Sequence, residues 1–216
     1  MHHQGGLLMN RLTLCLSILV LLTLSGTALA ETGSKKAQVV TEVTKLGGKV
    51  EFDETRVDKP IIKIDLHSTQ VTEADLALLN EARKDLKELR YLDLRLTHIG
   101  DAGVAHLRNL DSLQTLNLFR TNLGDQGLAR LKNLTQLQTL LIGGTKVTDA
   151  GLVYLKRFPQ LKKLSLFQTQ VTDLCIPYLR MLSNLEQLLI SGTRITDAGA
   201  KELQRALPKL KFSEQT

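Results

Sequence analysis

The chain is 216 residues long, 43% of its residues are hydrophobic, and its formal net charge at pH 7 is +6. This length is enough for one domain. The positive charge is spread along the chain without a long basic block interleaved with aromatic residues, which argues against a nucleic-acid groove. A charge of this size still permits weak attraction to anionic polymers or membrane surfaces.

Residues 1–30 have the pattern of a secretory signal peptide. Arg11 precedes an apolar run from Leu12 to Leu24, and the segment ends in the small-x-small sequence Ala28-Leu29-Ala30. We therefore expect cleavage after Ala30 and export to the periplasm, the cell surface or the medium. The alternative is an uncleaved membrane anchor, although the apolar run is short for a bilayer span.

Residues 31–60 are predicted to form an N-terminal cap. A helix is expected from about Lys36 to Leu46, where Gly47-Gly48 ends it, and a strand is expected from Lys49 to Phe52. The chain then enters the apolar run Ile61–Ile64. The two extended segments should pair as a hairpin that covers the edge of the units that follow.

From residue 61 onward the sequence is repetitive. The stretch "TKVTDAGL" begins at Thr145, and similar stretches recur with a strict period of 24. A degenerate copy begins at Thr69, 28 residues before the next, so this unit should contain about one extra helical turn. A fixed period in this range predicts a solenoid. The regular copies begin at Thr97, Thr121, Thr145, Thr169 and Thr193.

Each unit reads as a strand, a turn, a helix and a return. In the fourth unit, Leu140 and Ile142 should point into a core and Leu141 away from it, because side chains alternate along a strand. Thr148 can cap the helix, with Asp149 in the first turn, where the helix dipole favours a carboxylate. Pro177 should disturb the helix of the fifth unit. A last helix from Asp197 to Leu207 should close the C-terminal end.

The pattern L-x-x-L-x-L-x-x-T-x-[VIL]-x-D-x-G-L resembles the leucine-rich repeat, in its bacterial 24-residue "TDAGL" form. It is similar in pattern to the repeats of ribonuclease-inhibitor-like and F-box proteins. The resemblance covers six units from Ile61 to about Leu210. It implies an α/β solenoid with a parallel sheet on the concave face and helices on the convex face, so that residues 61–216 hold six repeats and a C-terminal helical cap. It also implies that the repeated threonine hydroxyls, in place of the family's asparagine, bond backbone groups between coils.

The sequence shows no catalytic motif and no cofactor or metal signature. We therefore expect a non-catalytic protein without cofactors. The carboxylates of Asp65 and Asp93 should be neighbours, with Arg95 and His67 beside them to offset the like charges. An active site built on Asp65, Asp93 and His67 remains as the enzymatic alternative. Beyond the signal peptide, Cys175 is the one cysteine, and we expect it to be a small buried residue in a position where other repeats have glycine.

Relatives in the resembled family bind their partners on the concave face. One column of that face should contain Phe119 and Phe167 on either side of Gly143, with the rings roughly 10 Å apart across two strand spacings. This arrangement predicts an apolar slot, although the rings could simply cover the sheet. The predicted partner-binding residues are Tyr91, Arg95, Phe119, Leu141 and Phe167.

The sequence as a whole predicts an exported module that recognises a protein or peptide partner on its concave face. Nucleic acid is not expected as a partner, and contact with a membrane is expected only through the signal peptide. The alternative is an envelope-associated module that binds anionic polysaccharide through its basic surface. Neither the identity of the partner nor the oligomeric state follows from the sequence.

Overall fold

The computed structural model describes residues 34–213, and the predicted signal peptide lies outside this range. The described chain forms one eight-stranded sheet whose strands follow one another in chain order. The first pair is antiparallel and every later pair is parallel. The strands are β1 Lys49–Phe52, β2 Ile61–Asp65, β3 Tyr91–Asp93, β4 Thr115–Asn117, β5 Thr139–Leu141, β6 Lys163–Ser165, β7 Gln187–Leu189 and β8 Lys211–Phe212.

From strand β2 onward, short helices return the chain from the end of one strand to the start of the next. Several of these returning segments consist of a short α-helix next to a short 3₁₀-helix. The α-helices are α1 Lys35–Lys45, α2 Glu73–Glu81, α3 Asp101–Val104, α4 Asp125–Arg130, α5 Asp149–Leu152, α6 Ile176–Leu179 and α7 Asp197–Ala206. The 3₁₀-helices are Ala105–Asn109, Val153–Arg157 and Asp173–Cys175.

The N-terminal cap has the predicted form. Helix α1 begins after Ser34, whose side chain accepts a hydrogen bond from the amide of Ala37. Gly47 ends the helix with a φ of +83°, a conformation that glycine adopts without steric cost. Strand β1 then pairs antiparallel with β2, so the predicted hairpin closes this edge of the sheet. The four extra residues of the first unit follow helix α2 as an additional turn, in which the Leu86 amide donates to the Ala82 carbonyl oxygen at 3.2 Å.

The core lies between the sheet and the helices and continues from one coil to the next. Leu140 and Ile142 are fully buried while Leu141 is partly exposed, as the alternation predicts. The register places Leu140 beside Leu116 and Leu164 of the neighbouring strands. Because the same residue type recurs at each register position, one unbroken apolar column runs along the solenoid, and no single unit buries its own core.

Strand β8 was not predicted. Lys211–Phe212 extends the sheet beyond the sixth repeat by pairing with β7. Phe212 follows its register partner Leu188 by one repeat of 24 residues, and Leu207 and Leu210 before it are buried. The continued period was the signal that could have found the strand. The C-terminal cap is therefore helix α7 together with β8.

The repeated threonines do not bond between coils, and the expectation drawn from the family resemblance is wrong on this point. The Thr145 hydroxyl donates to the carbonyl oxygen of Ile142 at 2.6 Å, within its own coil. Thr121 and Thr169 make the same contact with Leu118 and Leu166. A threonine hydroxyl lies one bond from Cβ, so it closes the local turn and does not span the strand spacing of about 4.8 Å.

Aspartates at the helix starts join the coils instead. Asp149 Oδ1 accepts from the amide of Thr172 at 2.8 Å, and Asp149 Oδ2 accepts from its hydroxyl at 2.8 Å. The helix dipole favours a carboxylate at this position. The dipole alone does not predict that the carboxylate forms hydrogen bonds with the next coil. The other contacts of this kind join Asp101 to Gly124, Asp125 to Thr148 and Asp173 to Thr196.

The fifth unit is irregular, as Pro177 predicts. Its helical segment starts as the 3₁₀-helix Asp173–Cys175 and continues as α6, with the proline in the first turn. Units without a proline also contain 3₁₀ segments, such as Ala105–Asn109, so the proline is not required for them. Cys175 is buried, as expected.

Candidate functional site

The concave face is built from the strand side chains that point away from the core. Its central column runs across the sheet in the predicted register, and each residue lies beside the next. This column contains Asp65, Asp93, Asn117, Leu141, Ser165 and Leu189. The face therefore changes from acidic at its N-terminal end to apolar and polar at its C-terminal end.

Asp93 is the centre of a hydrogen-bonded cluster in the N-terminal half of the face. Its side chain is 1% exposed and accepts from the Tyr91 hydroxyl at 3.1 Å, the Asn117 amide group at 3.2 Å and the Arg95 backbone amide at 2.9 Å. The Arg95 guanidinium lies 3.6 Å away. Burial, followed by the charge of Asp93, raises the pKa of Tyr91 to about 12, so the phenol remains a donor at neutral pH.

The other charges of the N-terminal half are also matched. His67 Nδ1 lies 2.7 Å from Asp65 Oδ1, and Lys63 Nζ lies 2.7 Å from Glu51 Oε1. Partial burial tends to raise the pKa of Asp65, but the hydrogen bonds from the backbone and ring of His67 outweigh it, and the pKa is lowered. The predicted offset of the two aspartates by Arg95 and His67 is confirmed.

The phenylalanine rings do not leave a slot between them. Their centroids are 6.1 Å apart and the ring planes are inclined by 33°, so the predicted separation of about 10 Å is wrong. Gly143 lies between them, and a Cβ at this position would lie 3.0 Å from both Cβ and the carbonyl oxygen of Phe167. Because the glycine has no side chain, Phe119 and Phe167 tilt towards each other and pack as an aromatic pair.

The opening on this face lies beside the aromatic pair, over strands β4 to β7. We call this opening the concave pocket; its volume is about 430 Å³. Leu141 and Leu189 are its partly exposed apolar residues, and Phe119 forms part of its wall. The lining residues are Arg95, Asn117, Phe119, Leu141, Lys163, Leu164, Ser165, Gln187, Leu189 and Ser213.

The structure brings three of the five predicted site residues together. Arg95, Phe119 and Leu141 line the concave pocket. Phe167 is 8% exposed and supports Phe119 from the side, while Tyr91 belongs to the Asp93 cluster. The sequence reasoning did not select several polar and apolar lining residues, although the strand register had placed them on this face. The principal ones are Lys163, Gln187 and Leu189.

Arg120 is a further residue that the sequence reasoning did not select. Its backbone has a φ of +52°, and its guanidinium lies 5.2 Å from the centroid of the Phe119 ring. A Cβ on Gly144 of the next coil would lie 2.7 Å from Arg120 Cγ, so this glycine leaves room for the arginine stem. The left-handed position recurs in every coil, at Ser68, Leu96, Arg120, Gly144, Gln168 and Gly192.

The convex side carries a column of exposed basic residues with the period of the repeat. Within residues 34–213 only one of its members forms an ion pair, Arg180 with Glu202 at 3.1 Å. The basic column sits near the C-terminal ends of the helical segments, where the dipole favours cations. Its members are Arg108, Lys132, Lys156 and Arg180.

Over residues 34–213, no group of three or more His, Cys, Asp or Glu side chains could hold a metal ion. The same stretch contains no helix long and apolar enough to cross a membrane.

Comparison with known proteins agrees with the repeat. The family model described as "Leucine Rich repeat" matches residues 87–107, 109–132 and 182–203, and no curated protein matches. A leucine-rich repeat protein of Leptospira interrogans has a similar structure, with a TM-score of 0.54 and 20% identity over 71% of this chain and 37% of that one. An internalin of Listeria monocytogenes matches with a TM-score of 0.48 and 20% identity, over 71% of this chain and 53% of that one. The present chain thus spans only part of the length of either protein.

Proposed function

We propose that this chain, a leucine-rich repeat protein with the solenoid fold of that family, binds a protein or peptide partner by taking one apolar side chain into the concave pocket. Leucine-rich repeats generally mediate protein–protein binding and are a typical non-catalytic scaffold. The observation that carries the proposal is the partly exposed apolar surface of Leu141 and Leu189 in a pocket with polar residues around it. Apolar surface of this kind, rimmed by polar groups, marks contact sites.

The pocket is ready to bind without rearrangement. Phe119 is held on one side by Phe167 and on the other by the Arg120 guanidinium. A wall that is already ordered reduces the entropy lost on binding. The volume of about 430 Å³ lies within the range of ordinary ligand sites and suits a single anchoring side chain with its neighbours.

The predicted signal peptide supports an exported protein, and we include export in the proposal. The partner would then be met in the periplasm, on the cell surface or outside the cell. N-terminal sequencing of the protein recovered from the envelope and from the medium tests this part. A mature chain that begins at Glu31 is the expected result, and a cytoplasmic chain that retains residues 1–30 would contradict it.

The test of the binding site uses a pair of variants. The mature chain from Glu31 is used to isolate partners from the envelope and secreted fractions, and the affinity of each purified partner is then measured with Leu141→Asp and Leu174→Asp. Leu174 is 74% exposed on the helix side, so its replacement introduces the same charge away from the pocket. We expect Leu141→Asp to weaken binding by roughly tenfold or more, because it places a desolvated charge in an apolar contact. Equal affinities for the two variants would contradict the proposal.

A second candidate function is binding of anionic polysaccharide, and the basic column favours it. Three of its four cations, Arg108, Lys132 and Lys156, have no ion pair among the described residues. A repeated line of cations complements an extended polyanion. The enzymatic alternative has no such support, because the hydrogen bonds of Asp93 and the contact of Asp65 with His67 already engage both carboxylates.

A further inference from the structure

The charges of the concave face are unevenly matched between its two halves. In the N-terminal half, Lys63 pairs with Glu51 and Arg95 with Asp93. His67 is hydrogen-bonded to Asp65, and Lys49 lies opposite Asp65 in the register. That half has little net charge left to offer a partner. Any electrostatic preference of the face must therefore come from the other half.

The C-terminal half, from strand β4 onward, presents cations without acids. No acidic side chain occurs on this part of the face up to residue 213. Lys163 lines the concave pocket, and Lys211 lies two strands away in the same column. Neither residue appears in an ion pair among residues 34–213.

Arg120 adds a third cation, fixed at the opposite margin of the face. Its backbone is in the left-handed region, where glycine is favoured and where Gly144 and Gly192 stand in other coils. The guanidinium lies over Phe119 and forms no ion pair with the described residues, so its N–H donors can reach a bound group.

From this arrangement we propose that the partner's segment carries carboxylates beside its apolar anchor. The apolar side chain enters the concave pocket between Phe119 and Leu141, and acidic side chains near it in the partner's sequence pair with Lys163 and Arg120. The inference rests on the proposed function and names the chemistry of its partner as an acidic, apolar peptide segment. A basic segment would face cations on both sides of its anchor and would be disfavoured.

The test is a selection of random short peptides displayed against the immobilised mature chain. Enriched sequences are synthesised together with analogues in which each Asp or Glu is replaced by its amide, and their affinities are measured at low and high salt. We expect enriched peptides to pair an aromatic or aliphatic residue with nearby acids. The amide analogues should bind roughly tenfold more weakly, because charge-assisted hydrogen bonds are lost.

Two double variants remove the same charge from different faces. Lys163→Gln with Arg120→Gln should weaken acidic peptides roughly tenfold, and should weaken their amide analogues by a clearly smaller factor, because Gln keeps part of each side chain's packing in the site and removes its charge. Lys132→Gln with Lys156→Gln removes two charges from the convex side and serves as the control, with no effect expected beyond a small uniform change. Equal losses in the two double variants would mean that net charge alone attracts the peptides, and this result would overturn the inference.

The outcomes separate this inference from the proposed function. Enriched peptides that lack acids but lose affinity with Leu141→Asp would overturn the acidic preference and leave the pocket in place. Peptides that bind Leu141→Asp as tightly as the unaltered chain would overturn the proposed function itself. A selection that enriches no peptide would overturn both.

Discussion

Asp125 and Thr148 join two consecutive coils through a pair of hydrogen bonds. Asp125 Oδ1 accepts from the Thr148 amide at 2.8 Å, and Asp125 Oδ2 accepts from the Thr148 hydroxyl at 2.7 Å. Thr148 also caps helix α5, so the contact fixes the start of one helix to the start of the helix before it. The repeated "TDAGL" stretch is therefore a device for holding coils together as well as a helix start.

The glycine of the "TDAGL" stretch is required by the aspartate of the preceding coil. A Cβ at Gly151 would collide with the carboxylate of Asp125 and lie 3.1 Å from its Cα. We predict that Gly151→Ala destabilises the protein by about 1–3 kcal/mol, as overpacking does, measured by chemical denaturation. At Gly100 a Cβ meets nothing closer than 3.6 Å, and Gly100→Ala should cost less than about 1 kcal/mol. Equal losses at the two glycines would contradict the steric explanation.

Asp173 should make stability depend on pH in the acid range. Hydrogen bonds from the side chain and then the backbone of Thr196 lower the pKa of Asp173 from its ordinary value of 3.8. A carboxyl whose pKa is lower in the folded state contributes stability above its unfolded pKa and loses that contribution as pH falls through the folded pKa. Asp173→Asn should therefore be less stable than the unaltered chain at neutral pH, and the difference should narrow below pH 3.8. Denaturation midpoints measured across this range test the claim, and a pH-independent difference would refute it.

Cys175 should be unreactive in the folded protein. Burial, followed by the charge of Asp149, raises the pKa of the thiol from 9.0 to about 12. Because the thiolate is the reactive form, a thiol reagent should label the mature chain at neutral pH only as fast as the fifth repeat opens. The same shift predicts that stability falls as pH rises from about 9 towards 12, since the unfolded chain ionises first. Rapid labelling without denaturant would show that the thiol is accessible.

Phe167 and Phe119 should differ in what their removal costs. Phe167 is nearly buried, so Phe167→Ala should destabilise the protein by about 3 kcal/mol. Phe119 is partly exposed in the wall of the concave pocket, so Phe119→Ala should cost less stability and more affinity for a bound peptide. Thermal denaturation and peptide affinity, measured on both variants, provide the comparison. Identical profiles would mean that the two rings act only as one structural unit.

The basic column gives the second candidate function its own test. Replacing Arg108, Lys132 and Lys156 together by Gln should abolish retention on an anionic polysaccharide column at low salt, because the attracting charges are removed. The unaltered chain should lose its retention as salt is added, since attraction between exposed charges is screened beyond about 8–10 Å near physiological ionic strength. The double variant Lys163→Gln with Arg120→Gln, which removes charges from the concave side, serves as the control. If the convex variant elutes at the same salt concentration as the unaltered chain, the basic column has no part in such binding.

The repeat, the strand register and the core could be predicted from the amino-acid sequence alone. These features follow from local rules: alternation along a strand decides that Leu140 faces inward and Leu141 outward, and the strict period brings equivalent residues together in adjacent coils. The columns of the concave face were predictable for the same reason. Strand β8 was missed even though it continues the 24-residue period, because it falls after the last full repeat.

The contacts between side chains of neighbouring coils could be known only from the three-dimensional structure. The length and direction of a side chain set its reach, so the Thr145 hydroxyl turns back to its own coil while the Asp125 carboxylate reaches the next one. Phe119 and Phe167 close over Gly143 because the space above a glycine is filled by whichever neighbour can tilt into it. The candidate pocket depends on this closure, since it lies beside the rings and not between them.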